Sequence, residues 1–132
     1  MLYSVKTDLP IDIVKTKMDE RVKEYMFGLL KDYNFQEMLE IKHFPIQREI
    51  HVFEICYPPA AQKAMESIPT MSVYLPCRVS AFEEDGKTVL TTIGMDEIMH
   101  NFELPSEFKE EMGKVYARLQ DLMKSFVEEN LL

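Results

Sequence analysis

The chain has 132 residues, of which 46% are hydrophobic and 29% charged, proportions that fit one globular domain over residues 1–132 and argue against a disordered chain. The net charge of −8, with 15 basic and 23 acidic residues and no basic run, argues against binding to nucleic acid or to an anionic membrane surface. The sequence shows no secretory signal and no stretch near the about 18 apolar residues that span a bilayer, so we expect a cytoplasmic protein with reduced cysteines.

The N-terminal part is predicted to run strand, helix, strand. Residues 2–6 alternate in the β manner, and residues 10–25 carry apolar side chains at three- and four-residue spacing, with Asp8 placed to cap that helix. A second strand is predicted over residues 27–33, followed by a helical turn around residues 35–41.

The middle of the chain contains the strongest strand signals. Residues 49–57 are apolar on both faces, which predicts an interior strand, and a short helix is expected to open at Pro59. Residues 77–84 and 87–93 are β-prone and are separated by Asp85-Gly86, the sequence typical of a two-residue hairpin turn. This turn length pairs Phe82 with Val89 and Ser80 with Thr91.

The C-terminal part predicts a helical turn over residues 96–101 and then a long helix capped by Ser106. One apolar seam runs along that helix, and Gly113 within it suggests a close approach of another element. The seam residues are Phe108, Met112, Val115, Leu119, Leu122 and Phe126, and further apolar residues widen it, which favours packing on a sheet over a coiled-coil dimer.

These elements together predict an α+β fold. Mostly antiparallel strands followed by helices indicate a two-layer sandwich, with a curved sheet covered on one face by helices that include the long C-terminal helix.

Two segments carry a resemblance to a known family. Residues 54–58 read Glu-Ile-Cys-Tyr-Pro and residues 75–79 read Leu-Pro-Cys-Arg-Val, with an alanine-rich helix between them and a hairpin turn after them. In these features the chain resembles the family called domain of unknown function 302. The resemblance implies a TATA-binding-protein-like α+β fold and no agreed activity, so it transfers no catalytic residue. The family commonly has asparagine where this chain has Tyr57, which leaves any role of that amide without a counterpart here.

Glu54, Cys56, Cys77 and Arg78 are the candidate ligand-binding residues. Glu54 and Cys56 share a strand face because side chains two apart point the same way, and Arg78 is the expected charge partner of Glu54. The pair can either polarise a pocket or tie two strands together. The cysteines can form a thiol site, although free cysteine is most often a small buried hydrophobe, and their approach requires adjacent antiparallel strands.

No metal site is expected. His43, His51 and His100 lack partners at zinc-ligand spacing, and His51 is predicted on the strand face opposite Glu54. The sequence specifies no cofactor.

Three functions remain open, and catalysis is not the favoured one. The first is a binding protein for a small anionic or sulfur-bearing ligand. The second is a non-catalytic structural or protein-interaction module, and the third, weaker one is a thiol-dependent enzyme, which would need a general base near a cysteine. We also expect a homodimer that forms at an edge strand or a helix end.

Overall fold

The structure is a computed structural model that describes residues 1–128. Its elements follow the order β1 (Leu2–Thr7), α1 (Ile11–Glu24), β2 (Gly28–Asn34), α2 (Phe35–Ile41), β3 (Ile50–Cys56), α3 (Pro58–Ser67), a 3₁₀ helix (Pro69–Val73), β4 (Cys77–Glu84), β5 (Lys87–Ile93), α4 (Met95–Asn101) and α5 (Ser106–Glu128). The predicted α+β class is confirmed, and the helical turn predicted over residues 35–41 coincides with α2.

The five strands form one open antiparallel sheet in the order β1-β5-β4-β3-β2. The hairpin between β4 and β5 has the predicted register, with Phe82 opposite Val89 and Ser80 opposite Thr91. Asp85 and Gly86 both have positive φ, as the two-residue turn requires. The prediction for β3 as an interior strand is also confirmed, since β4 and β2 flank it.

Helices pack on one face of the sheet, here called the covered face. Phe53 and Ile55 of β3 are fully buried there, as is Val79 of β4, because alternate residues of each strand point toward the helices. The opposite side is called the open face, and it carries the intervening residues, among them Tyr33, Glu54 and Arg78.

The long helix α5 packs within the molecule, as predicted. All six seam residues are buried, and Tyr116 and Met123 beside the seam are buried as well. The seam therefore forms part of the core instead of a coiled-coil surface. The close approach of another element expected at Gly113 is not observed. Among residues 1–128, no other element lies within 4 Å of the position that a Cβ would occupy there.

Neither of the two residues predicted as helix caps occupies the capping position of its helix. Helix α1 is preceded by Pro10, with no side-chain cap, so Asp8 does not cap it. Ser106 is the first residue of α5, and the carbonyl of Pro105 accepts the first helical hydrogen bond from Lys109. Within residues 1–128, no helix combines the length and apolarity needed to cross a bilayer.

Candidate functional site

The four candidate residues lie at the end of the sheet where β3 finishes and β4 begins. Glu54 is directly opposite Arg78 in the ladder, and Ile55 is opposite Cys77. Since neighbouring residues on a strand point to opposite faces, Glu54 and Arg78 share the open face, whereas Cys77 is buried on the covered face. Cys56 is half-buried at the last position of β3. The structure thus brings the charge pair together and separates it from Cys77 by the thickness of the sheet.

Glu54 is held by two donors. The Tyr33 hydroxyl donates a hydrogen bond of 2.9 Å to Oε1, and Arg78 Nη2 lies 3.4 Å from Oε2. The hydrogen bond to the Glu54 carboxylate raises the pKa of Tyr33 above its ordinary value. The Arg78 contact is longer than the about 2.7–2.9 Å of a strong charge-assisted bond. It is therefore a loose pair.

Arg78 and Glu54 differ sharply in accessibility. The Arg78 side chain is 66% exposed, whereas that of Glu54 is 13% exposed. A guanidinium has five N–H donors, and one nitrogen is engaged by the carboxylate here. Arg78 thus retains donors that can contact a second anion without displacing the first.

A groove of about 420 Å³ lies on the open face around Arg78. It is lined by Leu2, Tyr33, Phe35, Val52, Arg78, Ser80, Thr91, Thr92 and Ile93. Among its hydroxyls, Thr91 donates to the carbonyl of Tyr3 and accepts from Ser4. The Ser80 hydroxyl has no hydrogen-bond partner among residues 1–128 and is available to a ligand.

The wall of the groove on the β2 side is aromatic. The Tyr33 and Phe35 rings stack at 6.0 Å with an interplanar angle of 25°, and Lys31 Nζ lies 5.2 Å from the Tyr33 ring centroid. Tyr33 and Phe35 were not among the predicted site residues. The pairing of Tyr33 with Val52 across β2 and β3 brings the two aromatic rings beside Arg78. The sequence showed only that Lys31 and Tyr33 are two residues apart and so share a strand face.

The two cysteines line a separate apolar cavity of about 100 Å³ between the sheet end, α3 and α5. Both are free. Burial raises the pKa of both thiols, and for Cys77 a hydrogen bond from the Tyr116 hydroxyl opposes this in part. Cys56 and Cys77 lie on adjacent antiparallel strands, as a close approach of the two thiols requires. Burial in the apolar cavity nevertheless favours the neutral thiol form of both.

A buried histidine cluster went unpredicted. His51 is fully buried on the covered face, where Nδ1 lies 2.8 Å from Asp32 Oδ1 and Nε2 lies 2.7 Å from Glu49 Oε2. The ring also stacks on Phe53, with centroids 5.8 Å apart. The i, i+2 spacing of Glu49 and His51 was a visible signal, whereas Asp32 arrives through the β2–β3 pairing. Because carboxylates engage both ring nitrogens, His51 has none free for a metal. Among residues 1–128, no group of three or more such side chains is arranged to hold a metal ion.

Comparison with known proteins identifies relatives of the whole domain. The family model for Domain of unknown function DUF302 matches residues 3–126. A crystal structure of an uncharacterised conserved DUF302 protein from Bacillus stearothermophilus superposes with a TM-score of 0.79 at 22% identity, covering 93% of this chain and 95% of that one. At this identity the likeness establishes the fold alone. No curated protein matches the chain.

Proposed function

Because the chain belongs to the DUF302 family, whose description assigns no reaction, we propose from the geometry that it is a non-catalytic binding protein for a small anionic molecule. The ligand occupies the groove on the open face, with its anionic group against Arg78 and its apolar body against Tyr33 and Phe35. The observation that carries this proposal is the Arg78 guanidinium, which lines the groove, is two-thirds exposed and is only loosely paired with the largely buried Glu54 carboxylate.

The local charge supports an anionic ligand even though the whole chain carries −8. Arg78 lines the groove, and Lys31 lies over the Tyr33 ring of its β2 wall. The Glu54 carboxylate beside Arg78 is already bound by Tyr33 and Arg78. The contact with Glu54 keeps the Arg78 guanidinium near the groove, although at 3.4 Å it does so only loosely. The Ser80 hydroxyl adds a neutral donor next to it.

The size and lining of the groove support a small organic molecule over a bare ion. Its volume of about 420 Å³ lies within the about 300–1,000 Å³ typical of small-molecule sites. Five of the nine lining residues are apolar or aromatic, and the four polar ones lie on β4 and β5. A carboxylate with an aromatic or aliphatic body fits this distribution.

The test is a titration of isotope-labelled protein with benzoate and hexanoate, followed by amide NMR. We expect saturable shifts at Ser80 and Thr91, and binding at least about tenfold weaker in Arg78→Gln, because a charge-assisted bond is lost. Arg48→Gln is the matched control, since Arg48 lies over Phe82 on the same protein and outside the groove lining. Benzyl alcohol should not bind measurably.

Two results would contradict the proposal. Equal affinity of the wild type and Arg78→Gln for benzoate would show that the anionic group of the ligand does not contact Arg78. Amide shifts that never saturate, or that occur mainly outside the groove, would show that the groove does not bind the ligand.

The sulfur-bearing ligand and the thiol enzyme receive less support. Cys77 is on the face opposite Glu54, the only base that the sequence offered, and the pKa of each thiol is raised by burial. A thiol nucleophile needs the reverse, a lowered pKa or an adjacent base. We therefore assign the cysteines to packing around the cavity. The two unpaired thiols also support the expected cytoplasmic location as part of this proposal.

The second candidate function is an interaction module, in which a second copy of this chain covers the open face. Leu2 and Ile93 are opposite each other on β1 and β5 at one end of that face, and they are 65% and 42% exposed. Because both residues line the groove, a second copy there would exclude the ligand. Ligand affinity that falls with rising protein concentration would favour this candidate.

A further inference from the structure

Arg118 on α5 is a cation with no hydrogen-bond acceptor among residues 1–128. Its Nε and Nη2 atoms are buried and have no hydrogen-bond partner, and no acidic residue among residues 1–128 pairs with it. These two nitrogens carry three N–H donors, so the side chain has more unmet donor capacity than native proteins ordinarily bury.

Two aromatic rings hold the Arg118 guanidinium in place. Its Cζ lies 4.9 Å from the Phe27 ring centroid and 4.3 Å from that of Tyr57. The two rings are nearly perpendicular, with an interplanar angle of 77°, so they hold the side chain in place without enclosing the guanidinium on both of its faces. Because Nε and Nη2 are shielded from solvent, a ligand in the depression reaches them only after the Arg118 side chain turns toward it.

The surface beside Arg118 is a depression of about 410 Å³ between α3 and α5. Its charged lining residues are Lys63, Glu111, Lys114 and Arg118. Lys63 Nζ lies 2.7 Å from Glu111 Oε1, and Lys114 Nζ lies 3.8 Å from Glu110 Oε1 beside the depression. The lining carboxylate is thus already paired, and Arg118 leaves the excess charge of the site positive. The remaining lining is apolar, from Tyr57, Pro59, Ala60 and Val115.

We infer that this depression is a binding site for a phosphate monoester. The phosphoryl oxygens accept from the Arg118 guanidinium once its buried Nε and Nη2 have turned toward the depression, and Lys114 and Lys63 contribute charge. The ester group lies against the apolar wall formed by Tyr57 and Pro59. A dianion suits three cations facing one paired carboxylate better than a monoanion does. The site shares no lining residue with the groove around Arg78 and does not depend on the function proposed for it.

The first test uses the wild-type protein and needs no substitution. The Arg118 Nε–H resonance is followed by ¹H–¹⁵N NMR while phenyl phosphate, inorganic phosphate or acetate is added at constant ionic strength. We expect a saturable shift with phenyl phosphate, a weaker one with inorganic phosphate, and none with acetate. Equal responses to acetate and inorganic phosphate would contradict the preference for a dianion. Equal affinity for phenyl phosphate and inorganic phosphate would contradict the contact between the ester group and the apolar wall.

The second test compares variants by the rise in melting temperature that phenyl phosphate produces. Arg118→Met keeps the side-chain volume between the two rings and should weaken binding at least about tenfold, because the charge-assisted bonds are lost. Lys114→Gln should weaken it about two- to fivefold, as expected for an exposed charge.

Lys124→Gln is the matched control for the variants. It removes the same charge from an exposed position on α5 outside the depression, and its response should equal that of the wild type. An equal thermal response of Arg118→Met and the wild type, or a phosphate response no larger than that to chloride, would overturn the site. Arg78→Gln should leave the phenyl phosphate response of the Arg118 Nε–H resonance unchanged, because this signal reports the depression and not the groove, and this separates the outcome from failure of the groove.

Discussion

Burial controls the reactivity of the two cysteines. Because it raises the pKa of Cys56 and Cys77, less thiolate is present near neutral pH than in an exposed cysteine. We expect both to react with iodoacetamide more slowly than a cysteine in a short peptide, with Cys56 ahead of the more deeply buried Cys77. The rate for Cys56 should continue to rise above pH 9.0, its usual pKa. Peptide mapping by mass spectrometry assigns each rate.

The Cys56→Ser variant serves as the control, since only the slow Cys77 reaction should remain in it. A Cys56 or Cys77 that reacts faster than the peptide at pH 7 would contradict the packing role and restore the thiol enzyme as a candidate.

His51 is the residue whose loss should cost the most stability at the β2–β3 edge of the sheet. Replacing it by leucine leaves Asp32 and Glu49, which are 23% and 32% exposed, without the imidazole ring that they share as a hydrogen-bond partner. We expect His51→Leu to lower the free energy of unfolding by about 2 kcal/mol, less than for a fully buried pair because both carboxylates retain water. Urea denaturation measures this change.

The control for that experiment is His100→Leu, which alters an exposed histidine on α4 and should change stability by less than about 0.5 kcal/mol. Adding Asp32→Asn and Glu49→Gln to His51→Leu should recover part of the loss. A single variant as stable as the wild type would show that the cluster contributes nothing net.

At the scale of elements, two glycines in similar open space should respond oppositely to alanine. Nothing lies within 4 Å of a Cβ built at Gly86 or at Gly113, so neither substitution creates a clash. Gly86 has a φ of +79° in the β4–β5 turn, and alanine there should lower the free energy of unfolding by about 1 kcal/mol. Gly113 is inside α5, where alanine should raise it by about 0.5–1 kcal/mol.

The two variants control for each other when unfolded in urea under identical conditions. A loss of stability in Gly113→Ala would mean that another element approaches that position after all. A neutral Gly86→Ala would mean that the turn relaxes to a conformation that alanine accepts.

At the scale of the whole molecule, a substitution on the open face tests the expected homodimer. The predicted homodimer should have twice the 15.5 kDa chain mass by light scattering after size exclusion. If the open face is the interface, Ile93→Lys should yield the monomer mass, because a lysine at this apolar position would be buried without a partner. Met26→Lys is the control, since Met26 is 64% exposed in the connection between α1 and β2.

A dimer that survives Ile93→Lys would place the interface elsewhere, at an edge strand or a helix end. A monomer for the wild type would contradict the homodimer and leave the open face to the ligand.

Charge is distributed unevenly over the whole molecule. The chain carries a net charge of −8, yet two of its depressions are locally positive. One lies around the exposed guanidinium of Arg78, and the other lies beside Arg118, which has no acceptor among residues 1–128. An overall acidic surface repels nucleic acid while small anions can still reach such local sites.

The sequence was sufficient for features that depend on neighbours along the chain. The Asp85-Gly86 turn fixed the β4–β5 register, because the turn geometry admits one pairing, and the apolar spacing of α5 identified its buried face. The position of Glu54 and Arg78 opposite each other was also within reach, once β3 and β4 were taken as adjacent strands. The missed helix caps arose because proline, with its fixed φ, precedes α1 and α5 in place of a polar cap.

The tertiary structure alone decided which residues meet across the strands and layers. Strand alternation placed Cys77 and Arg78 on opposite faces, but which face the helices cover follows from packing of the entire core. Tyr33 beside Arg78, Asp32 beside His51 and Tyr57 over Arg118 each join segments that are distant along the chain. Local sequence determines the period and the turns of each element, whereas such contacts depend on how all the apolar faces are buried at once.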